Sequence, residues 1–220
     1  MTSTRRVFVE RLLDWYHENG RHGLPWREES RTAFEILVAE VLLQRTTASA
    51  VEGAYVPFVA RYPTPTCLVA APSDRLVDAV EPLGLTKRAG HLERCSAQLL
   101  ERHGGAVPAE RTALLSLHGV GEYTARSVLI HAFGERTVAV DTNVRRLVSR
   151  FFGVNPDSDA LRETAAALVP EDQSGDFLHA MLDFAASVCR AREPRCDRCP
   201  LRTGCHLFES GRASPSDHSR

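Results

Sequence analysis

Residues 117–133 read LHGVGEYTARSVLIHAF, and residues 134–146 continue GERTVAVDTNVRR. Gly119 and Gly121 permit a tight turn and let backbone approach a ligand with no Cβ in the way. Helical spacing resumes from Glu122 to Phe133, so the unpaired N–H groups and the positive dipole end of that helix point out of the turn. The segment His118-Gly119-Val120-Gly121 is therefore a seat for a phosphate, indifferent to base sequence. A plain helix–turn–helix whose glycines serve close packing is the alternative reading.

The stretch after this helix is apolar and extended, and it delivers Asp141 to the start of a further helix, Thr142 to Phe152. Taken alone, Asp141 is an N-cap. About twenty residues past a phosphate seat, it can also reach the sugar of the nucleotide whose phosphate is gripped. There an ionised carboxylate stabilises the positive charge that develops when an N-glycosidic bond breaks. Capping and catalysis are compatible roles.

Outward from this centre, apolar periodicity predicts helices at 7–16, 33–43, 51–61, 73–80 (capped by Ser73), 86–103, 109–115, 159–168 and 175–189. No strand-like alternation precedes residue 137, so the fold class is all-α. Residues 33–43, AFEILVAEVLL, are apolar nearly all round and read as a buried helix. Glu40 lies in its middle, where a carboxylate is costly unless paired, protonated or facing a cavity, which makes it a candidate site residue. Gln44, Arg45 and Thr46 follow directly and are candidate DNA contacts; Arg45 suits the O6 and N7 edge of a guanine.

Four of the six cysteines form a C-x6-C-x2-C-x5-C array: Cys189, Cys196, Cys199 and Cys205. Disulfides are disfavoured because residues 1–20 do not read as a secretory signal and a reducing compartment is expected. Zinc is disfavoured because only Cys196 and Cys199 form a short-spaced pair. A [4Fe-4S] cluster, whose irons each take a thiolate from a different direction, suits unequal spacings. Arg190, Arg192, Arg195, Arg198 and Arg202, interleaved with these cysteines, then sit on a rigid basic knob.

The 220 residues are 43% hydrophobic and 25% charged, an ordinary globular composition that excludes collagen and wholesale disorder. No apolar run is long enough to span a membrane, and an intracellular, cytoplasmic or nucleoid-associated protein is expected. The net charge of −1 hides segregation: residues 155–184 carry seven acidic side chains, residues 186–206 five arginines. Lys87 is the only lysine among 27 cationic side chains, so chemistry that needs an amine has one candidate. Residues 209–220 are polar and are expected to be disordered.

The segments LHGVGEYTA, VDTNVRR and the cysteine array, in this order, resemble the helix-hairpin-helix-GPD superfamily of DNA glycosylases, the endonuclease III group. The likeness runs from about Trp15 to Cys205. It implies two helical lobes with a DNA cleft between them: residues 1–30 with 134–208 as a cluster lobe, and 31–133 as a six-helix barrel carrying the hairpin. It also implies that Asp141 is the catalytic aspartate and that the four cysteines hold a [4Fe-4S] cluster.

Members that also cleave the strand place a Schiff-base lysine two residues after the last hairpin glycine, and Tyr123 stands there instead. A monofunctional enzyme with weak or no lyase activity is implied, with Tyr123 lining the base pocket. Together with LPWR at 24–27 and EVLLQRTT at 40–47, Tyr123 resembles the thymine-DNA glycosylases that act on T·G and U·G mismatches. The partner implied is double-stranded DNA with a mismatch or lesion, met by a monomer. An adenine glycosylase acting opposite guanine or 8-oxoguanine is the runner-up; such enzymes have a small residue at 123 and a further C-terminal domain, neither of which this sequence shows. A non-catalytic iron–sulfur DNA-binding protein is a third reading, and Asp141 argues against it. His118 replaces the usual hairpin proline, which predicts a slightly looser turn.

Overall fold

The computed structural model describes residues 3–84 and 86–211, and every regular element in them is helical. The α-helices are α1 (Ser3–Asn19), α2 (Ala33–Leu43), α3 (Ala48–Arg61), α4 (Pro65–Val69), α5 (Ser73–Val80), α6 (Lys87–His103), α7 (Arg111–Leu115), α8 (Glu122–Phe133), α9 (Thr142–Phe152), α10 (Asp159–Ala166), α11 (Ser174–Ser187) and α12 (His206–Glu209). The extended step before Asp141 pairs with no strand among the described residues; Val138 and Ala139 are simply buried. No helix among them is long and apolar enough to cross a membrane.

The chain divides into two compact units, one of Met1–Arg21 with Arg136–Arg220, the other His22–Glu135. The first unit leaves off at Arg21, earlier than residue 30, because Leu24 and Trp26 belong to the core of the second. Within the first, α1 packs on α11, with Trp15 edge-on to Phe184 at 5.0 Å. Phe8 sits against Phe151 of α9 at 4.7 Å. Asp183, 2% exposed, accepts from the Arg21 backbone N–H at 2.9 Å and from Arg21 Nε at 2.8 Å. That charge-assisted pair ties the end of α1 to α11.

The second unit is built around α2, whose Leu37, Val38, Val41 and Leu42 are at most 1% exposed. A capping box starts α2: Thr32 Oγ1 accepts from Glu35 N, and Glu35 Oε2 accepts from Thr32 N at 2.8 Å. Contacts with α8 run antiparallel, Glu40 meeting Ser127 and Gln44 meeting Thr124. Ser73 is not the cap of α5. Pro72 holds that position, and the Ser73 hydroxyl instead donates to Glu93 Oε1 at 3.0 Å. The polar C-terminal segment expected to be disordered lies outside the described residues from 212 on, and Glu209 still belongs to α12.

Candidate active site

Asp141 caps α9 with extended backbone, φ −97 and ψ −170. Its Oδ1 accepts from the N–H groups of Asn143 and Val144, both at 2.8 Å, and its Oδ2 accepts from Asn143 Nδ2 at 2.7 Å. The residue stays half-buried rather than closed off. Three donors thus fix the plane of the carboxylate as well as its place.

A second layer fixes Asn143. Its Oδ1 accepts from Arg146 Nη2 at 3.0 Å, and that guanidinium also donates to the carbonyls of Cys189, at 3.0 Å, and Ala185, at 2.9 Å. Burial lowers the pKa of Arg146, while Cys189 and Asp141 act in the opposite sense. One turn on, Arg150 donates to the carbonyls of Arg190 and Ala191 and lies 3.6 Å from Cys189 Sγ. The helix that begins at Asp141 therefore grips the start of the cysteine loop. Sequence reasoning passed over Asn143 and Arg146; their spacing of two and five from Asp141 along one helix start was the available signal.

The thiols of Cys196, Cys199 and Cys205 are pushed up by burial, that of Cys199 to about 12, and each is raised further by neighbouring cysteines, Cys189 among them. Thiols gathered at one place ionise together only when positive charge stands among them, and four thiolates are the donor set an iron–sulfur core takes. Among the described residues no three His, Cys, Asp or Glu side chains stand close enough to hold one metal ion. A cubane gives each iron one thiolate, so its ligands stand farther apart than those of a single ion. Arg192, Arg195, Arg198 and Arg202 are exposed on this loop.

In the other unit, Glu40 is half-buried and its Oε1 accepts from Ser127 Oγ at 2.8 Å. Tyr123, also half-buried, lies one turn before Ser127 on α8, so both side chains share the face of α8 that meets Glu40. Ser127, 1% exposed, was not foreseen; a small hydroxyl in a helix carries no periodic signature.

The hairpin joins α7 to α8. Gly119 has φ +81, and a Cβ there would stand 3.0 Å from Cβ of His91. Val120 N closes the turn on Leu117 O at 3.2 Å. Gly121 precedes α8 with no side-chain cap, and a Cβ added there would meet nothing within 4 Å. Glu122, the first residue of α8, is paired with Arg111 and Arg126. At His118 the backbone N–H donates to Gln98 Oε1 at 2.6 Å, a bond proline cannot make. Gln44 Nε2 donates to Gly119 O at 2.9 Å, so this side chain is committed to the hairpin. Arg45 is exposed and Thr46 half-buried beside it.

The thymine/uracil-DNA glycosylase of Methanothermobacter thermautotrophicus is 35% identical over 211 residues, 93% of this chain and 95% of that protein. An adenine DNA glycosylase of Mycobacterium tuberculosis is 38% identical over 207 residues, 91% of this chain and 68% of that protein. The solved structure of a thermostable thymine-DNA glycosylase superposes with a TM-score of 0.88 at 34% identity, covering 94% of this chain and 97% of that one. The family model described as HhH-GPD superfamily base excision DNA repair protein matches residues 38–171, a span that holds Glu40, the hairpin and the capped aspartate alike. With a glycine hairpin, an aspartate fixed at a helix start and this match over more than half its length, the chain belongs to the HhH-GPD superfamily of base excision DNA repair proteins.

Proposed function

We propose that this protein is a monofunctional DNA glycosylase that hydrolyses the N-glycosidic bond of a thymine or uracil opposite guanine in double-stranded DNA. The observation that carries the reading is Asp141, whose carboxylate is oriented by three hydrogen bonds at the start of α9. As the C1′–N bond breaks, its electron pair leaves with the base and the sugar becomes cationic. Asp141 stabilises that charge and orients the water that adds to C1′. The water gives up a proton that ends on the departing base, so the products are the neutral free base and an abasic site. A mispaired base is also the less costly one to extrude.

Glu40, steadied by Ser127, binds the base edge or orders water, and Tyr123 stacks on or hydrogen-bonds the extruded base. The hairpin His118–Gly121 takes a phosphate. Arg45 and Thr46, with Gln44 behind them, contact the DNA where the base has left, Arg45 reading the widowed guanine. With Tyr123 in the position of the lytic lysine, release proceeds without strand cleavage of the Schiff-base type. Cys189, Cys196, Cys199 and Cys205 would hold a [4Fe-4S] cluster, which supplies a rigid core to the arginine-bearing loop. We take the protein to act as a monomer on nucleoid DNA.

Removal of adenine opposite guanine or 8-oxoguanine is the second reading, favoured by Glu40 and by the 38% identity to an adenine glycosylase. Duplexes carrying T·G, U·G, A·G and A opposite 8-oxoguanine, scored separately for base release and strand cleavage, decide between them. Fastest release from T·G or U·G without cleavage is expected; fastest release of adenine overturns the specificity. Asp141→Asn should bind a T·G duplex nearly as the wild type does yet release no base. Unchanged release in that variant rejects the catalytic role.

A further inference from the structure

Leu43 to Thr46 forms a type II β-turn. Gln44 has φ −57 and ψ 120, Arg45 has φ +58, and Thr46 N donates to Leu43 O at 3.3 Å. The third residue of such a turn needs a positive φ and is the place of glycine or asparagine; an arginine there is strained. A type I turn would remove the strain by flipping one peptide, that between Gln44 and Arg45. The Gln44 carbonyl is therefore the group whose direction separates the two forms, and it accepts a 2.5 Å hydrogen bond from Arg88 Nη2.

Arg88 is 3% exposed, and among the described residues its Nε and Nη1 find no hydrogen-bond partner. Burial lowers its pKa. A cation is thus kept inside the second unit, at the head of the buried stripe Leu92, Cys95 and Leu99 of α6, and among the described residues its side chain donates to that carbonyl alone. From the other side, Gln44 Nε2 anchors the same residue to Gly119 O at 2.9 Å and Thr124 Oγ1 at 3.3 Å.

We propose that Arg88 is a positioning residue: it selects the type II turn and thereby holds Arg45, exposed at the tip, in the pose that reads the opposite base. Arg88 itself touches no DNA. The inference rests on the reading of Arg45 as the contact to the widowed guanine.

The test uses the full chain as wild type, Arg45→Ala, Arg88→Met, both together, and Arg88→Met with Arg45→Gly. By NMR, a type II turn shows a strong Overhauser contact from Gln44 Hα to the Arg45 amide, and a type I turn shows one between the two amides. Arg88→Met is expected to exchange the first signal for the second; a folded variant that keeps the first overturns the proposal. If Arg88→Met does not fold, glycine at 45, which bears a positive φ without strain, should restore folding, and failure of that rescue overturns the proposal too. In single-turnover assays, Arg45→Ala and Arg88→Met should each lower the ratio of U·G to U·A release by about tenfold, with no further loss in the double variant. A switched turn that keeps the wild-type ratio, while Arg45→Ala loses it, overturns the positioning role. A switched turn together with an unaltered ratio in Arg45→Ala instead removes the reading of Arg45 and leaves turn selection by Arg88 standing.

Discussion

Asn143 donates its side-chain amide to Asp141 Oδ2 at 2.7 Å while its own Oδ1 accepts from Arg146 at 3.0 Å. Arg146 can only donate, so the Asn143 amide cannot flip without losing both bonds. The hold on Asp141 Oδ2 is thus inherited from a guanidinium pinned to the Cys189 and Ala185 carbonyls, while backbone N–H groups hold Oδ1.

Asn143→Ala should consequently slow base release while leaving the fold in place. Loss of one hydrogen bond to a charged group, about 1.5–3 kcal/mol, corresponds to roughly a tenfold to hundredfold drop in the single-turnover rate. The two backbone donors to Asp141 remain, so circular dichroism and duplex affinity should be close to wild type. A rate within twofold of wild type would show that the side-chain amide is dispensable.

Gly119→Ala tests the hairpin. The substitution imposes a left-handed strain of about 1–2 kcal/mol and pushes a methyl group to 3.0 Å from His91 Cβ. Urea denaturation should show lower stability, and affinity for any duplex, matched or mismatched, should fall together because the hairpin contact carries no sequence information. Weakening confined to mismatched DNA would contradict a phosphate seat.

His131 gives the pH dependence. Burial, with repulsion from Arg27 added, holds its pKa at about 4 rather than 6.5. A depressed histidine is neutral when folded and takes up a proton on unfolding. Its contribution is therefore fully present above the unfolded value and is lost as pH falls from about 6.5 towards 4. Urea midpoints of wild type and His131→Asn should converge between pH 7.5 and 4.5, the wild type losing more. Parallel curves over that range would show that His131 does not titrate in this way.

The cysteine loop makes a compositional prediction. Protein purified without oxygen should contain iron and acid-labile sulfide, about four of each per chain, and absorb broadly in the visible. Cys199→Ser should lower both contents and the stability of the loop. Stoichiometric zinc with no iron would replace the cluster by a mononuclear site.

The helices α2, α8 and α9 begin and end where their residues predict, because capping and apolar spacing act within a few positions: Gly121 before Glu122, Asp141 before Thr142, Gly153 after Phe152. The short helices α4 and α12 went unseen, and α7, no longer than α4, was read as starting two residues early, because one turn gives periodicity little to register. Misreading Ser73 as a cap has the same origin, since a serine next to a helix start satisfies the pattern whether or not its hydroxyl turns towards the backbone.

Sequence alone settled the all-helical class, the glycine hairpin, the capped Asp141 and the grouping of four cysteines, since each is written in residues close together along the chain. Tertiary structure alone decided that Ser127 steadies Glu40, that Gln44 is spent on the hairpin, and that Arg88 grips the Gln44 carbonyl. These partners stand 87, 75 and 44 positions apart. Hydrogen bonds are directional and short, so which distant donor meets which acceptor is set by how helices pack, and local spacing holds no record of it.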